Sequence, residues 1–219
     1  MTTAVYLEVG QKRVFACALE WPGWTRAGKT EHAALESLAD YAERYAPVVE
    51  QAGLTFADDA GDELDVVERV PGGPGTEFGV PDQVPDVDRK PLTGAQAGRL
   101  AALVTASWEV FDRVIADSPA ELRKGPRGGG RDRDKMVRHV LEAEASYGRR
   151  FGLKHRPPDL DDTEAIAVMR ADLIAAIHQP WAAVELDDKG WPPRYAARRL
   201  AWHVLDHAWE MEDRREPGT

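Results

Sequence analysis

Leu200-Ala201-Trp202-His203-Val204-Leu205-Asp206-His207 sets two histidines four residues apart in a run of helical period. Residues at that spacing project from one face of an α-helix, so the two imidazoles share a stripe. A third histidine, His139, lies in Met136-Val137-Arg138-His139-Val140-Leu141-Glu142, a second helical segment. Three imidazoles from two helices make an open metal site: nitrogen donors suit zinc, nickel, iron or copper, and three protein ligands leave a position for water or substrate. A bare HxxxH pair also fits hydrogen-bonded histidines on a half-buried face, so the setting has to decide.

That setting is helical from about residue 92 onward. Thr93 and Gln96 form a capping-box pattern, and Leu100, Leu103, Val104, Ser107, Trp108, Phe111 and Val114 keep a helical period to about Asp117. Pro119 and Gly125-Pro126-Arg127-Gly128-Gly129-Gly130 end this helix. Further helices are expected from about Arg131 to Leu153, Thr163 to His178 and Pro193 to Arg214, four in all, which predicts a four-helix bundle. On a helical wheel, Met136, Val140, Ala143, Tyr147 and Phe151 form the core stripe of the second helix, with His139 on its shoulder. His203 and His207 hold the matching shoulder of the fourth, beside the apolar arc of Leu200, Val204 and Met211. Its opposite side, with Trp202, Leu205 and Trp209, is expected to bury against another helix, the N-terminal part or a second subunit.

The first part of the chain has a different pattern. Ala4–Val9 and Val14–Leu19 are β-prone runs separated by Gly10-Gln11-Lys12-Arg13, a hairpin pattern; Trp21-Pro22-Gly23-Trp24 then breaks the strand. Thr30 is a good N-cap for one amphipathic helix from Glu31 to Tyr45, and Leu64–Val70 offers a further strand. The prediction is a small α+β domain over residues 1–80, built on an antiparallel sheet covered by one helix. The Pro/Gly-rich stretch from Pro71 to Pro91 reads as the boundary, with a short strand inside it and a linker over 81–91, before the helical part at 92–219.

Length and composition bound the function classes. The 219 residues, 43% apolar and 30% charged, are those of a globular protein. A lone Cys17 excludes an internal disulfide and a cysteine-rich zinc site. No apolar run approaches the roughly 20 residues of a membrane span, and the N-terminal residues lack a basic and apolar leader, so a cytoplasmic location with no membrane partner is expected. Residues 1–90 hold 8 Lys+Arg against 17 Asp+Glu, and the whole chain carries −10. An acidic surface repels a phosphate backbone, so no nucleic-acid partner is expected.

Two resemblances sharpen this. The order strand, hairpin turn, strand, then Glu20-Trp21-Pro22-Gly23-Trp24-Thr25 and Gly28-Lys29-Thr30-Glu31-His32-Ala33 opening a helix, resembles the HicB-like domain of toxin–antitoxin antitoxins and their stand-alone relatives. Trp24 departs from that pattern, where a cysteine or small residue is usual, and no DNA-binding helical motif follows. The resemblance implies a fold and a tendency to bind protein partners. Residues from about 92 to 216, with His139 upstream of the His203/His207 pair by 64 residues, resemble the DinB-like metal-dependent four-helix bundles. That likeness implies a divalent metal ion (zinc, nickel or iron) on His139, His203 and His207, and either hydrolysis or thiol S-transfer and isomerisation on a small-molecule substrate, with a low-molecular-weight thiol of the mycothiol kind as co-substrate. Glu142 and Glu210 are then the candidate catalytic carboxylates, as base or orienter, and Arg199 and Arg138 the candidate substrate-binding cations. The alternative is a non-catalytic interaction module with a structural or empty metal site; a homodimer fits either role.

The remaining candidates are weaker. His32 and His155 are expected on the surface, and His178 at a helix C-terminus. The Arg123–Arg131 loop reads as a solvated loop or an anion cradle, and Cys17 as core.

Overall fold

A computed structural model describes residues 2–125, 130–183 and 190–215. The N-terminal runs pair as β1 (Thr3–Val9), β2 (Val14–Ala18) and β3 (Thr25–Gly28), each antiparallel to the next. β4 (Leu64–Pro71) joins the other edge of β1 and runs parallel to it, giving the order β3-β2-β1-β4. The sheet is therefore mixed, not antiparallel. The chain leaves β3 through two helices before returning, and a crossover of that kind delivers a strand in the parallel sense.

Those helices are α1 (Glu31–Asp40) and α2 (Ala42–Gln51), not the single helix expected. Thr30 caps α1 as predicted, its Oγ1 accepting from the Ala33 N–H at 3.1 Å. At Tyr41 the backbone turns (φ −93°, ψ 3°) and its N–H bonds back to Leu38 O, which ends α1. The turn sets the Tyr41 ring under Arg26 at 4.0 Å and against Trp209 at 5.1 Å.

Both sheet faces are covered, which is why Val14-Phe15-Ala16-Cys17-Ala18 is apolar throughout and wholly buried. Val5, Leu7, Ala16 and Ala18 face α1 and α2, whereas Tyr6, Phe15 and Cys17 face Trp202. The Trp21–Trp24 turn packs on the helical half: Gly23 has φ +96°, and a Cβ there would stand 2.5 Å from Leu205 Cδ1. Glycine meets both demands.

The stretch expected as a boundary is stapled down. It holds α3 (Pro74–Phe78) and a 3-10 turn (Asp86–Arg89) in place of the short strand expected. Buried Glu8 accepts from the Thr76 hydroxyl and from the Asp82 and Gln83 N–H groups at 3.2 and 3.0 Å. Asp88, also buried, pairs with Arg198.

Four long helices follow: α4 (Gly94–Ala116), α5 (Arg133–Gly148), α6 (Thr163–Ile177) and α7 (Pro193–Arg214). They share one core, with Phe111, Met136, Leu173 and Leu200 among its fully buried members. The capping box forms as read, Thr93 Oγ1 accepting from the Gln96 N–H and Gln96 Oε1 from the Thr93 N–H. The buried stripe of α5 is rotated from the one predicted. It runs through Met136, Val140, Leu141, Glu144 and Ala145, leaving Ala143 and Tyr147 half-buried. Charged Glu144 belongs to it because Trp108 Nε1 and Arg170 Nε donate to its carboxylate at 2.8 and 3.3 Å. No helix among the described residues is long and apolar enough to cross a membrane.

Candidate metal centre

α7 is buried around most of its circumference. Leu205 and Trp209 enter the core over the sheet, and Trp202 meets Phe15 edge-on at 6.2 Å. Of the three neighbours open to the far side of α7, the N-terminal part covers it together with another helix, α4, through Leu103 and Ala106. This wedging fixes the helix's rotation, and with it the direction of the histidines.

His203 and His207 turn toward His139 on α5. The ring centroids lie 5.0 Å apart for His139–His203, 5.0 Å for His139–His207 and 4.7 Å for His203–His207. One nitrogen from each lies within 4.8 Å of the others. His203 Nε2 stands 3.2 Å from His139 Nε2. Two nitrogens bound at about 2.0–2.1 Å to a tetrahedral zinc ion lie about 3.3 Å apart, so that pair is already at ligand spacing.

The electrostatics favour neutral, lone-pair-bearing rings. Burial, and then the Arg131 charge, holds His139 below the usual imidazole range. Burial acts more strongly on His203, with the His207 and Arg199 charges adding to it, and holds it well below that range. A metal needs the unprotonated base, so both are prepared as ligands. His207 Nδ1 lies 3.1 Å from Glu210 Oε2, and Arg214 Nη1 lies 2.7 Å from Glu210 Oε1. The hydrogen bond from His207, and that from Arg214, keep the Glu210 carboxyl below its usual range. An ionised carboxylate only accepts, so Nδ1 of His207 carries the proton on that contact, which leaves Nε2 as the nitrogen a metal would take. His203 Nδ1 is buried with no hydrogen-bond partner.

The other predicted residues separate. Glu142 and Arg138 are exposed on α5, Glu142 near enough to His139 for its charge to act on that ring. Arg199 is buried on α7, over the Tyr147 and Trp202 rings at 5.1 and 4.6 Å. Asp206, an acidic neighbour of the pair, turns away and binds Arg26 at 3.0 Å. Tyr147, assigned to the core by its helical phase, packs against that core from its edge and also stands beside His203, with ring centroids 5.8 Å apart. Its spacing of eight from His139, on the same α5 face, is the trace it leaves in the sequence.

Outside the centre, His32 is exposed and 3.2 Å from Glu36, and His178 ends α6. His155 is half-buried, not fully exposed, because Asp172 holds it at 2.8 Å. Cys17 is core, its thiol pushed up to about 12 by burial. In the Arg123–Arg131 loop, Arg123 and Arg131 are bound through their carbonyls by Arg214, and residues 126–129 lie outside the described residues. Comparisons with family models, curated proteins and solved structures return no match for this chain.

Proposed function

We propose that the chain is a divalent-metal-dependent enzyme of the DinB-like type, with His139, His203 and His207 as its protein ligands. The reaction would be thiol S-transfer or isomerisation with a mycothiol-like co-substrate, or hydrolysis. The observation that carries this reading is the convergence of three imidazoles from two helices, two of them held neutral by burial, with one donor nitrogen from each inside 4.8 Å. An ion bound there would polarise a carbonyl or hold a thiolate.

The surrounding side chains take distinct roles in this reading. Glu210, tied to His207 and Arg214, is a positioning residue that fixes the His207 tautomer. Glu142, exposed three residues after His139, is the carboxylate free to exchange a proton with a substrate at the mouth. Tyr147 and Trp202 wall the cluster. The N-terminal part is read as a HicB-like module, supported by its strand, hairpin, turn and capped-helix order, and it serves α7 as a rigid support.

Metal analysis tests the reading directly. Wild type and a His203→Ala/His207→Ala variant are each exposed to zinc, nickel and iron(II), desalted and analysed. Stoichiometric metal in the wild type and its loss in the variant are expected, and equal contents would end the metal assignment. The loaded wild type is then assayed for thiol transfer with mycothiol.

A further inference from the structure

Arg198 and Arg199 are successive arginines on α7, both buried, with opposite surroundings. Arg198 turns to the sheet, where Asp88 supplies its counter-charge and Leu19 O accepts from its Nη1 at 3.3 Å. Arg199 is 8% exposed and has no carboxylate partner among the described residues; its Nη1 is buried and makes no hydrogen bond. What surrounds it is aromatic. The guanidinium carbon lies over the Trp202 ring at 4.6 Å and the Tyr147 ring at 5.1 Å. The same two rings contact His203, at 6.1 and 5.8 Å between centroids. Arg199 precedes His203 by one helical turn, about 6 Å along the axis.

A guanidinium taken out of water costs free energy that only a counter-charge and hydrogen bonds recover. Arg198 shows the protein supplying both. Among the described residues, Arg199, one residue on and beside the three-histidine cluster, receives neither. The ring contacts occupy its faces, so what it can offer is its planar edge, the part that pairs with a carboxylate through two parallel hydrogen bonds. Aromatic walls suit an organic acid better than a hydrated inorganic anion.

We propose that Arg199 anchors, through its planar edge, the carboxylate of a small organic acid, with the rest of that molecule directed at the His139/His203/His207 cluster. This rests on the metal reading for the chemistry at the far end of the ligand, but the anion contact stands apart from it. The substrate class is thereby an organic acid whose reacting atom lies about one helical turn from its carboxylate.

The experiment measures sodium benzoate, benzamide and inorganic phosphate binding by calorimetry and thermal shift. It uses wild type, R199M and R199K, each metal-free and after zinc loading. Benzoate should bind wild type and raise its Tm, and benzamide should not. R199M should lose the benzoate shift, and R199K, which keeps the charge without the fork, should bind at least about tenfold more weakly, the loss of one charge-assisted hydrogen bond. Zinc content should be the same in all three. Equal benzoate affinity in wild type and R199K, no benzoate binding to wild type in either state, or preference for phosphate would overturn the proposal. If R199M does not fold, R199K carries the comparison. Zinc absent from every form would sink the metal reading alone, because benzoate binding to the metal-free protein still reports on Arg199.

Discussion

Glu210 Oε2 and His207 Nδ1 lie 3.1 Å apart on α7, with Arg214 Nη1 bound 2.7 Å from the carboxylate's second oxygen. Two side chains, both on the ring's own helix, thus aim a single imidazole. Outer partners of this kind tune metal affinity without touching the ion. Glu210→Ala should lower zinc affinity about 10- to 100-fold in competition with a chromogenic chelator. An unchanged affinity would show that the carboxylate does not position the ring.

Leu205 is fully buried between α7 and the core over the sheet, against Gly23. Leu205→Ala removes those contacts where the sheet half can collapse little, so a loss of about 2–5 kcal/mol is expected. α7 also belongs to the α4–α5–α6 core, so tryptophan fluorescence and far-UV circular dichroism should report one shared transition in urea. Separate midpoints would mean that the sheet and the helices unfold independently.

Glu144 is fully buried, and that burial raises its carboxyl above the usual value despite Arg170 and Trp108. The folded chain then holds this proton more tightly than the unfolded chain. Its stabilising contribution is complete below the unfolded value of 4.5 and is lost as pH rises through the raised folded value. Glu144→Gln keeps an acceptor for Trp108 and removes the titration. The stability of wild type relative to this variant should therefore fall from about pH 4.5 upward, by about 1.4 kcal/mol for each unit of raised pKa. A pH-independent difference between the two proteins in urea titrations would contradict it.

The Cys17 thiol is 1% exposed and pushed up to about 12. Thiolate is the reactive form, so iodoacetamide at pH 8 should leave the native protein unlabelled and modify it fully in denaturant. Rapid labelling of the native protein would show that the sheet face under Trp202 opens.

The helical half was legible because its information is local. The bounds of α7 follow from Pro193 and the periodicity after it, the Thr93/Gln96 cap from a four-residue pattern, and the histidine cluster from the phases of two helices. What the sequence hid depends on partners far along the chain. The alternation of Leu64–Pro71 marks a strand but not its direction, which the crossover through α1 and α2 sets. Tyr41 ends α1 where its ring meets Arg26 and Trp209, a contact spanning 168 residues that no local periodicity encodes. The burial of Glu144 depends on Trp108 and Arg170, 36 and 26 residues away, which no local pattern marks. Arg199 could be nominated as a cation near the site, but that it has no counter-ion among the described residues depends on Asp88, 110 residues from Arg198, pairing with that neighbour instead.

α7 is the last long helix in chain order, and it is common to the sheet's outer face, the core over the sheet and the helical core. Ribosomal synthesis delivers the chain from its N-terminus. Tyr6, Phe15 and Cys17 on one side, and the interior of α4, α5 and α6 on the other, therefore wait for the same closing segment. His139 waits with them, since both of its companions arrive on that helix. A nascent chain short of α7 shows bare apolar rows to the cell's quality control and has one imidazole of the proposed three, so on the metal reading capture of an ion would wait for the same helix that closes both cores.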